Sequence, residues 1–206
     1  MFIDDDDHDS KRQEAIQAIL NNAMGNAAQS LASVISNSVD ASSPKTHWVN
    51  NNNLQATLSS LNLPNRYIVM RQSFRGHLRG EIIILLEHGA KHDQLGEVLG
   101  YEGKMSTLNI QELTLELANV LSGACINGLS TKLNINLNFN APSIISEKAS
   151  VGDILSDKGL HWTDALFMDV GYTVSSISMK AHLILCMTEA DSHELYRIID
   201  VQLEQS

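Results

Sequence analysis

Apolar residues recur at helical spacing over two long stretches of this chain and at strand spacing over several shorter ones. The first helical stretch runs from about Ser10 to Ile35, and Ser10 with Gln13 three residues later offers a capping-box start. The second contains "LELANVLSGACINGL", residues 115 to 129, with Asn109 and Glu112 placed to cap it. "RYIVMRQSF" and "HLRGEIIILLE" predict two strands joined by a turn at Arg75-Gly76. "ALFMDVGYTVSS" and "ISMKAHLILCMTE" predict a second such pair, and "KLNINLNFNAP" alternates apolar and polar residues as a half-buried strand does. The polar run "DASSPKTHWVNNNN" reads as a loop, while Lys91 to Leu99 and Asp191 to Leu203 read as shorter helices. The class is α/β (α+β in detail), with antiparallel hairpins packed against two long helices.

The order of elements occurs twice. "NNAMGNAAQSL" at 21 to 31 matches "NVLSGACINGL" at 119 to 129, pairing Asn21 with Asn119, Gly25 with Gly123 and Leu31 with Leu129 at a constant offset of 98. Residues 80 to 99 and 180 to 199 match at an offset of 100, through Ile84/Ile184, Leu85/Leu185 and Leu95/Leu195. The expected organisation is one domain over 1–206, built from halves at about 10–100 and 107–204. The acidic run from Asp4 to Asp9 reads as a solvated lead-in over 1–9.

On the second helix, Leu113, Leu117, Val120, Leu121 and Ala124 share a stripe expected to face the sheet. Glu116, Asn119, Gly123 and Asn127 fall together on another face, so an acid and an amide stand side by side. A glycine inside a helix costs about 1 kcal/mol relative to alanine, so Gly123 asks for a reason, such as close approach of a partner or tight helix–strand packing. On spacing alone, such a pair is also what an ordinary solvated helix face would show.

Bulk properties narrow the function. Fourteen Lys and Arg against 24 Asp and Glu leave a net charge of −10, with no basic cluster to bind nucleic acid. The longest apolar run, Ile82 to Leu86, is too short to span a bilayer, and the acidic N-terminus lacks signal-peptide order. Two cysteines, Cys125 and Cys186, sit in apolar stretches and read as core side chains in a reduced, cytoplasmic setting. His88 and His92 are four apart with Asp93 nearby, but they straddle a strand end and a glycine and read as surface histidines. His161, Trp162 and Asp164 read as a loop cluster. Met24 and Met105 read as packing or partner-contact side chains. Aromatic content of 5% gives little for stacking bases, and no phosphate loop or nucleophile elbow occurs.

"ELANVLSGACINGLS" resembles the Glu-x-x-Asn-x-x-x-Gly helix of the CheC/CheX/FliY phosphatases of bacterial chemotaxis. "NNAMGNAA" resembles the matching first helix of CheC, and "NAPSII" follows the second long helix as it does in that family. The resemblance covers nearly the whole chain. It implies a CheC-like fold and hydrolysis of the phospho-aspartate of a CheY-type response regulator. By that likeness Asn119 would position the attacking water, and Glu116 would pair with the regulator's active-site lysine, with Gly123 and Asn127 lending the binding surface. Mg²⁺ would belong to the regulator, so no cofactor is expected in this chain. A CheD-like protein is left open as a further partner, and neither nucleic acid nor membrane is expected. The chain departs from the pattern in its first half. There Asn21 and Gly25 are present, but Ala18 stands where Glu116 would be, which implies a degenerate second site. Glu14, one turn before Ala18, is a nearby carboxylate. Asn22 stands where the second helix has Val120, so the first helix is more polar than its copy. The alternative function is a non-catalytic module that binds a receiver or a flagellar-switch protein.

Overall fold

A computed structural model describes residues 5–50, 52–61, 67–87, 94, 96–97, 105–155, 162–174 and 177–205. Eight strands and five helices are assigned among them. Helix α1 (Asp5–Ile35) leads to β1 (Val39–Ala41), β2 (Lys45–Asn50), α2 (Leu54–Leu61) and the hairpin β3 (Tyr67–Gly76) and β4 (Gly80–Glu87). Helix α3 (Thr107–Leu133) then leads to β5 (Leu137–Phe139), β6 (Ser143–Ala149), α4 (Val151–Leu155) and the hairpin β7 (Asp164–Val174) and β8 (Ile177–Met187). Helix α5 (Glu189–Glu204) closes the chain.

The strands form one antiparallel sheet in the order β1-β7-β8-β4-β3-β5, with β2 also paired to β7 and β6 to β3. By type of element, this order is the same from either edge. The short strands that follow α1 pair with β7, and those that follow α3 pair with β3. The two hairpins meet at β4–β8, from Gly80↔Met187 to Leu86↔Ala181.

Period-two alternation divides the core between both faces of the sheet. Ile82, Ile84 and Leu86 on β4, with Leu183 and Leu185 on β8, pack under α1, α3 and α5. Ile83 and Leu85, with Ile184 and Cys186, face the other way, toward Val49, Leu54 of α2, and Val151 and Ile154 of α4. A strand covered on both faces reads as a continuous apolar run, which is why Ile82 to Leu86 shows no alternation in sequence.

Several local readings are corrected. Helix α1 starts at Asp5. Residues Asp5 to Asp9 therefore belong to the first turns of α1, and Ser10 lies inside the helix instead of capping it. Ser106 caps α3, its Oγ accepting from the Asn109 N–H at 3.1 Å, so Asn109 and Glu112 fall within the first turns. "DASSPKTHWVNNNN" holds β2 and most of β1, because pairing with β7 satisfies its backbone and buries Val49. Within "KLNINLNFNAP" only Leu137–Phe139 is strand. The hairpin turn lies beyond Gly76, whose φ of +151° and close approach to the Asn136 carbonyl leave no room for a side chain. The segment Lys91 to Leu99 lies largely outside the described residues.

Helices α1 and α3 pack side by side. A Cβ built on Gly128 would sit 2.5 Å from the Ala23 methyl, so the helices meet backbone to backbone there. Arg12 on α1 makes two hydrogen bonds of 2.7 Å to the Asp200 carboxylate on α5 and lies 5.4 Å from the Tyr196 ring centroid. Cys125 and Cys186 are both buried. No helix among the described residues is long and apolar enough to cross a membrane.

Gly128→Ala should destabilise the fold by about 1–3 kcal/mol, the usual range for overpacking. The urea midpoint measures this, and adding Ala23→Gly should restore part of the loss. A second prediction concerns alkaline pH. Burial pushes both thiols up to about 12, with Glu81 adding to the rise at Cys186, and raises the Tyr172 phenol as well. The folded state thus holds protons that unfolded thiols release near pH 8.5. Their contribution to stability is complete below that pH and is lost as pH climbs toward 12. Urea midpoints should fall between about pH 9 and pH 11; an unchanged midpoint would mean the thiols are hydrated.

Candidate functional site

Helix α3 buries more than half of its circumference, because it packs on the sheet and on α1 at once. Leu113, Leu117 and Leu121 lie in the core as expected, joined by Ala118, Cys125, Ile126 and Leu129. Val120 and Ala124 do not face the sheet. They are half-buried and turn toward α1, which shifts the core face around the helix from the position the apolar stripe suggested.

The remaining arc is open. Glu116, Asn119 and Asn127 are all exposed. Asn119 stands at the edge of a groove of about 430 Å³ between α1 and α3, and Glu116 lies one turn earlier, outside the lining. Gly123 and Asn127 continue the α3 wall toward Thr131 and Lys132, facing Asn22, Asn26 and Ser30 on α1, with Phe139 of β5 beside them. Among the described lining residues Lys132 is the one ionisable group, and none of them is a carboxylate. Four carboxamides around one groove can each donate and accept hydrogen bonds.

One buried contact fixes the turn of α3 that bears the pair. Ser122 Oγ donates to the Gln72 side-chain oxygen on β3, and Gln72 donates in turn to the Asn140 carbonyl. Ser122 and Gln72 are both almost fully buried, so this bracket is shielded from competing water. It ties α3 to the sheet one turn beyond Asn119. Its traces in the sequence are a serine within the apolar stretch of α3 and a glutamine within the apolar strand β3. The α1 wall had a clearer one, since Asn22, Asn26 and Ser30 follow one another at four-residue spacing.

Of the two reasons offered for Gly123, tight helix–strand packing is not what the structure shows. A Cβ there would meet Phe139 at 3.7 Å, an ordinary contact, and a Cβ at Gly25 would meet nothing within 4 Å. Neither glycine marks a close approach of another element among the described residues; Gly128 does.

The first-half counterpart is arranged differently. Ala18 and Asn21 are exposed, but Asn21 Oδ1 accepts a hydrogen bond from Gln17 at 3.1 Å. Gln17 is itself held by the Pro44 carbonyl at 2.7 Å and by Thr46 Oγ1 at 2.8 Å. Asn21 is therefore tethered through β2, and it stands outside the groove lining. No such bond holds Asn119 among the described residues.

Other candidates take ordinary places. Met24 and Met105 are buried in the core, and Met24 Sδ receives the Tyr172 hydroxyl at 3.3 Å. Trp162 packs against the apolar cluster on the α2 and α4 face of the sheet, and Asp164 opens β7. His88, His92, Asp93 and His161 lie outside the described residues.

No protein-family model matches the chain, and no curated protein sequence does. Solved structures do. The X-ray structure of Thermotoga maritima FliY aligns with a TM-score of 0.66 at 17% identity, covering 97% of this chain and 98% of that one. FliM in the FliG–FliM complex from H. pylori aligns with a TM-score of 0.63 at 9% identity, over 90% and 97%. The chemotaxis protein CheX from Desulfovibrio desulfuricans aligns with a TM-score of 0.53 at 11% identity, over 82% and 99%. The fold is that of the CheC-like, CheX and FliY chemotaxis proteins, and FliM shares it.

Gly123→Ala should fold with stability unchanged or raised by up to about 1 kcal/mol, since the site has room for a methyl and alanine favours the helix. Urea denaturation beside Gly128→Ala checks the contrast.

Proposed function

We propose that the exposed Glu116–Asn119 pair hydrolyses the phospho-aspartate of a CheY-type response regulator. The observation that carries this reading is the joint exposure of the two side chains on adjacent turns of a helix fixed from beneath. An exposed pair can enter a partner's active site, and a fixed helix keeps the spacing between acid and amide constant.

The chemistry asks little of the chain beyond placement. A water oxygen bonds to phosphorus as the acyl oxygen–phosphorus bond breaks, leaving the aspartate carboxylate and inorganic phosphate. The water's proton passes to phosphate or solvent. Asn119 would orient that water through its carboxamide, which can accept from the water and donate to a phosphoryl oxygen. Glu116, one turn away, would hold the regulator's lysine and so fix the register of the two proteins. The reading assigns no metal to this chain. Asn21, tethered by Gln17 and lacking a carboxylate at Ala18, is assigned no turnover.

A second reading has support of its own. FliM structures align over about nine-tenths of this chain, and one of them is a complex with FliG. On that footing the helix face would dock a switch or receiver protein without hydrolysis.

Asn119→Ala should slow phosphate release from a phosphorylated receiver by on the order of 10²-fold, as for other positioned catalytic groups. Glu116→Ala should act mainly by raising KM, and Asn21→Ala should change turnover by less than about twofold. Phosphate release measured with and without the protein decides between the readings. Receiver binding without faster release would favour the docking module.

A further inference from the structure

The groove between α1 and α3 presents chemistry that the hydrolytic step does not use. Its α3 wall runs from Asn119 past Asn127 to Lys132, and its α1 wall is Asn22, Asn26 and Ser30. In α3 the residues 98 positions after those three are Val120, Ala124 and Gly128, none of which is polar. The helix assigned no turnover is thus the one that places carboxamides opposite the intact Asn119.

The lining suits one kind of occupant. From Asn119 to Thr131 the α3 wall spans twelve residue steps, about 18 Å of helix. That is the reach of about five residues of extended chain at roughly 3.3 Å each. Extended backbone presents N–H and C=O groups in alternation, and a carboxamide can meet either. Asn26 Nδ2 donates to Asn22 Oδ1 at 3.2 Å, which leaves the Asn22 amino group and the Asn26 carbonyl oxygen for a ligand. A chain of net charge −10 keeps carboxylates out of this lining and places Lys132 at its far end, an arrangement that favours a neutral or acidic segment over a basic one.

We infer that the groove docks an extended, neutral-to-acidic backbone segment of the same receiver whose phosphoryl group meets Asn119. This rests on the proposed reading of the Asn119 site and deepens it. Helix α1 supplies affinity through Asn22 and Asn26, Lys132 meets an acidic side chain of the segment, and α3 supplies the chemistry.

The test is steady-state hydrolysis of a phosphorylated CheY-type receiver, beside binding of the same receiver loaded with beryllofluoride. Asn22 and Asn26 are exposed, so the Asn22→Ala/Asn26→Ala variant keeps its fold, which a thermal melt verifies. Its KM and its Kd for the loaded receiver should rise about tenfold, the worth of two modest hydrogen bonds, while kcat stays within about twofold. Lys132→Gln should weaken binding at low salt and flatten its salt dependence. Unchanged KM and Kd in the double variant would overturn the inference and leave the Asn119 reading standing. A fall in kcat at constant KM would also overturn it, because the α1 amides would then be acting on the reacting atoms. If Asn119→Ala hydrolyses as well as the unaltered protein, the phosphatase reading fails, while a tenfold loss of binding in the double variant still upholds the groove.

Discussion

The contact on which the rest depends is the meeting of α1 and α3 at Ala23 and Gly128. Two long helices share one face of the sheet, and their separation decides what each presents to solvent. Because Gly128 has no Cβ, the helices approach closely at that point and bury Ala118, Leu121 and Cys125 beneath them. Nearer the middle of α3, Val120 and Ala124 are only half-buried, and the groove opens beside them. A helix lying alone on a sheet would bury a narrower stripe. The burial of α3 by two neighbours leaves Glu116 and Asn119 on the residual outer arc.

The sheet reinforces this arrangement through its connectivity. Strands β1 and β2 leave α1 and pair with β7, near the end of the chain, while β5 and β6 leave α3 and pair with β3. Each long helix is therefore linked in sequence to strands that complete the other hairpin's edge. Neither half can bury its apolar face alone, since Ile82 to Leu86 on β4 need β8 beside them and helices or short segments on both faces. Stability at α3 is thereby coupled to the whole sheet, and the Gln72–Ser122 bracket carries that coupling to the turn beyond Asn119.

How much of this could be read from the residues alone depended on how local the governing physics was. The long helices and the hairpins β3–β4 and β7–β8 announce themselves, because their periodicity is a property of each segment. Exposure of Glu116 and Asn119 followed from the same periodicity. Strands β1 and β2 did not show, since their sequence is polar and their backbone is satisfied only by β7, more than a hundred residues away. Similarly, Gly123 stood out beside the acid and amide, yet the close approach fell at Gly128, whose significance depends on Ala23 across the interface. The cap of α3 moved to Ser106 because a hydroxyl just ahead of the first turn can accept from the Asn109 N–H, whereas a residue already in the turn cannot serve as its cap.

The two halves of the helix layer differ in the residues they present and also in the freedom of one shared amide. Asn21 and Asn119 occupy matched positions, but Gln17 links Asn21 to Pro44 and Thr46 of the β2 arm, and Ala18 leaves no carboxylate beside it. The Gln17 bond takes up one of the two lone pairs of the Asn21 oxygen and fixes the orientation of that amide, so turning it toward a ligand gives up a bond that already holds it. Asn119 carries no such debt among the described residues. On the proposed reading, asymmetry of function would follow from one glutamine and one missing acid, within a layer whose two helices remain equal partners in packing. Close packing requires both helices, whereas the proposed chemistry would need only that one of them keep its acid and amide uncommitted.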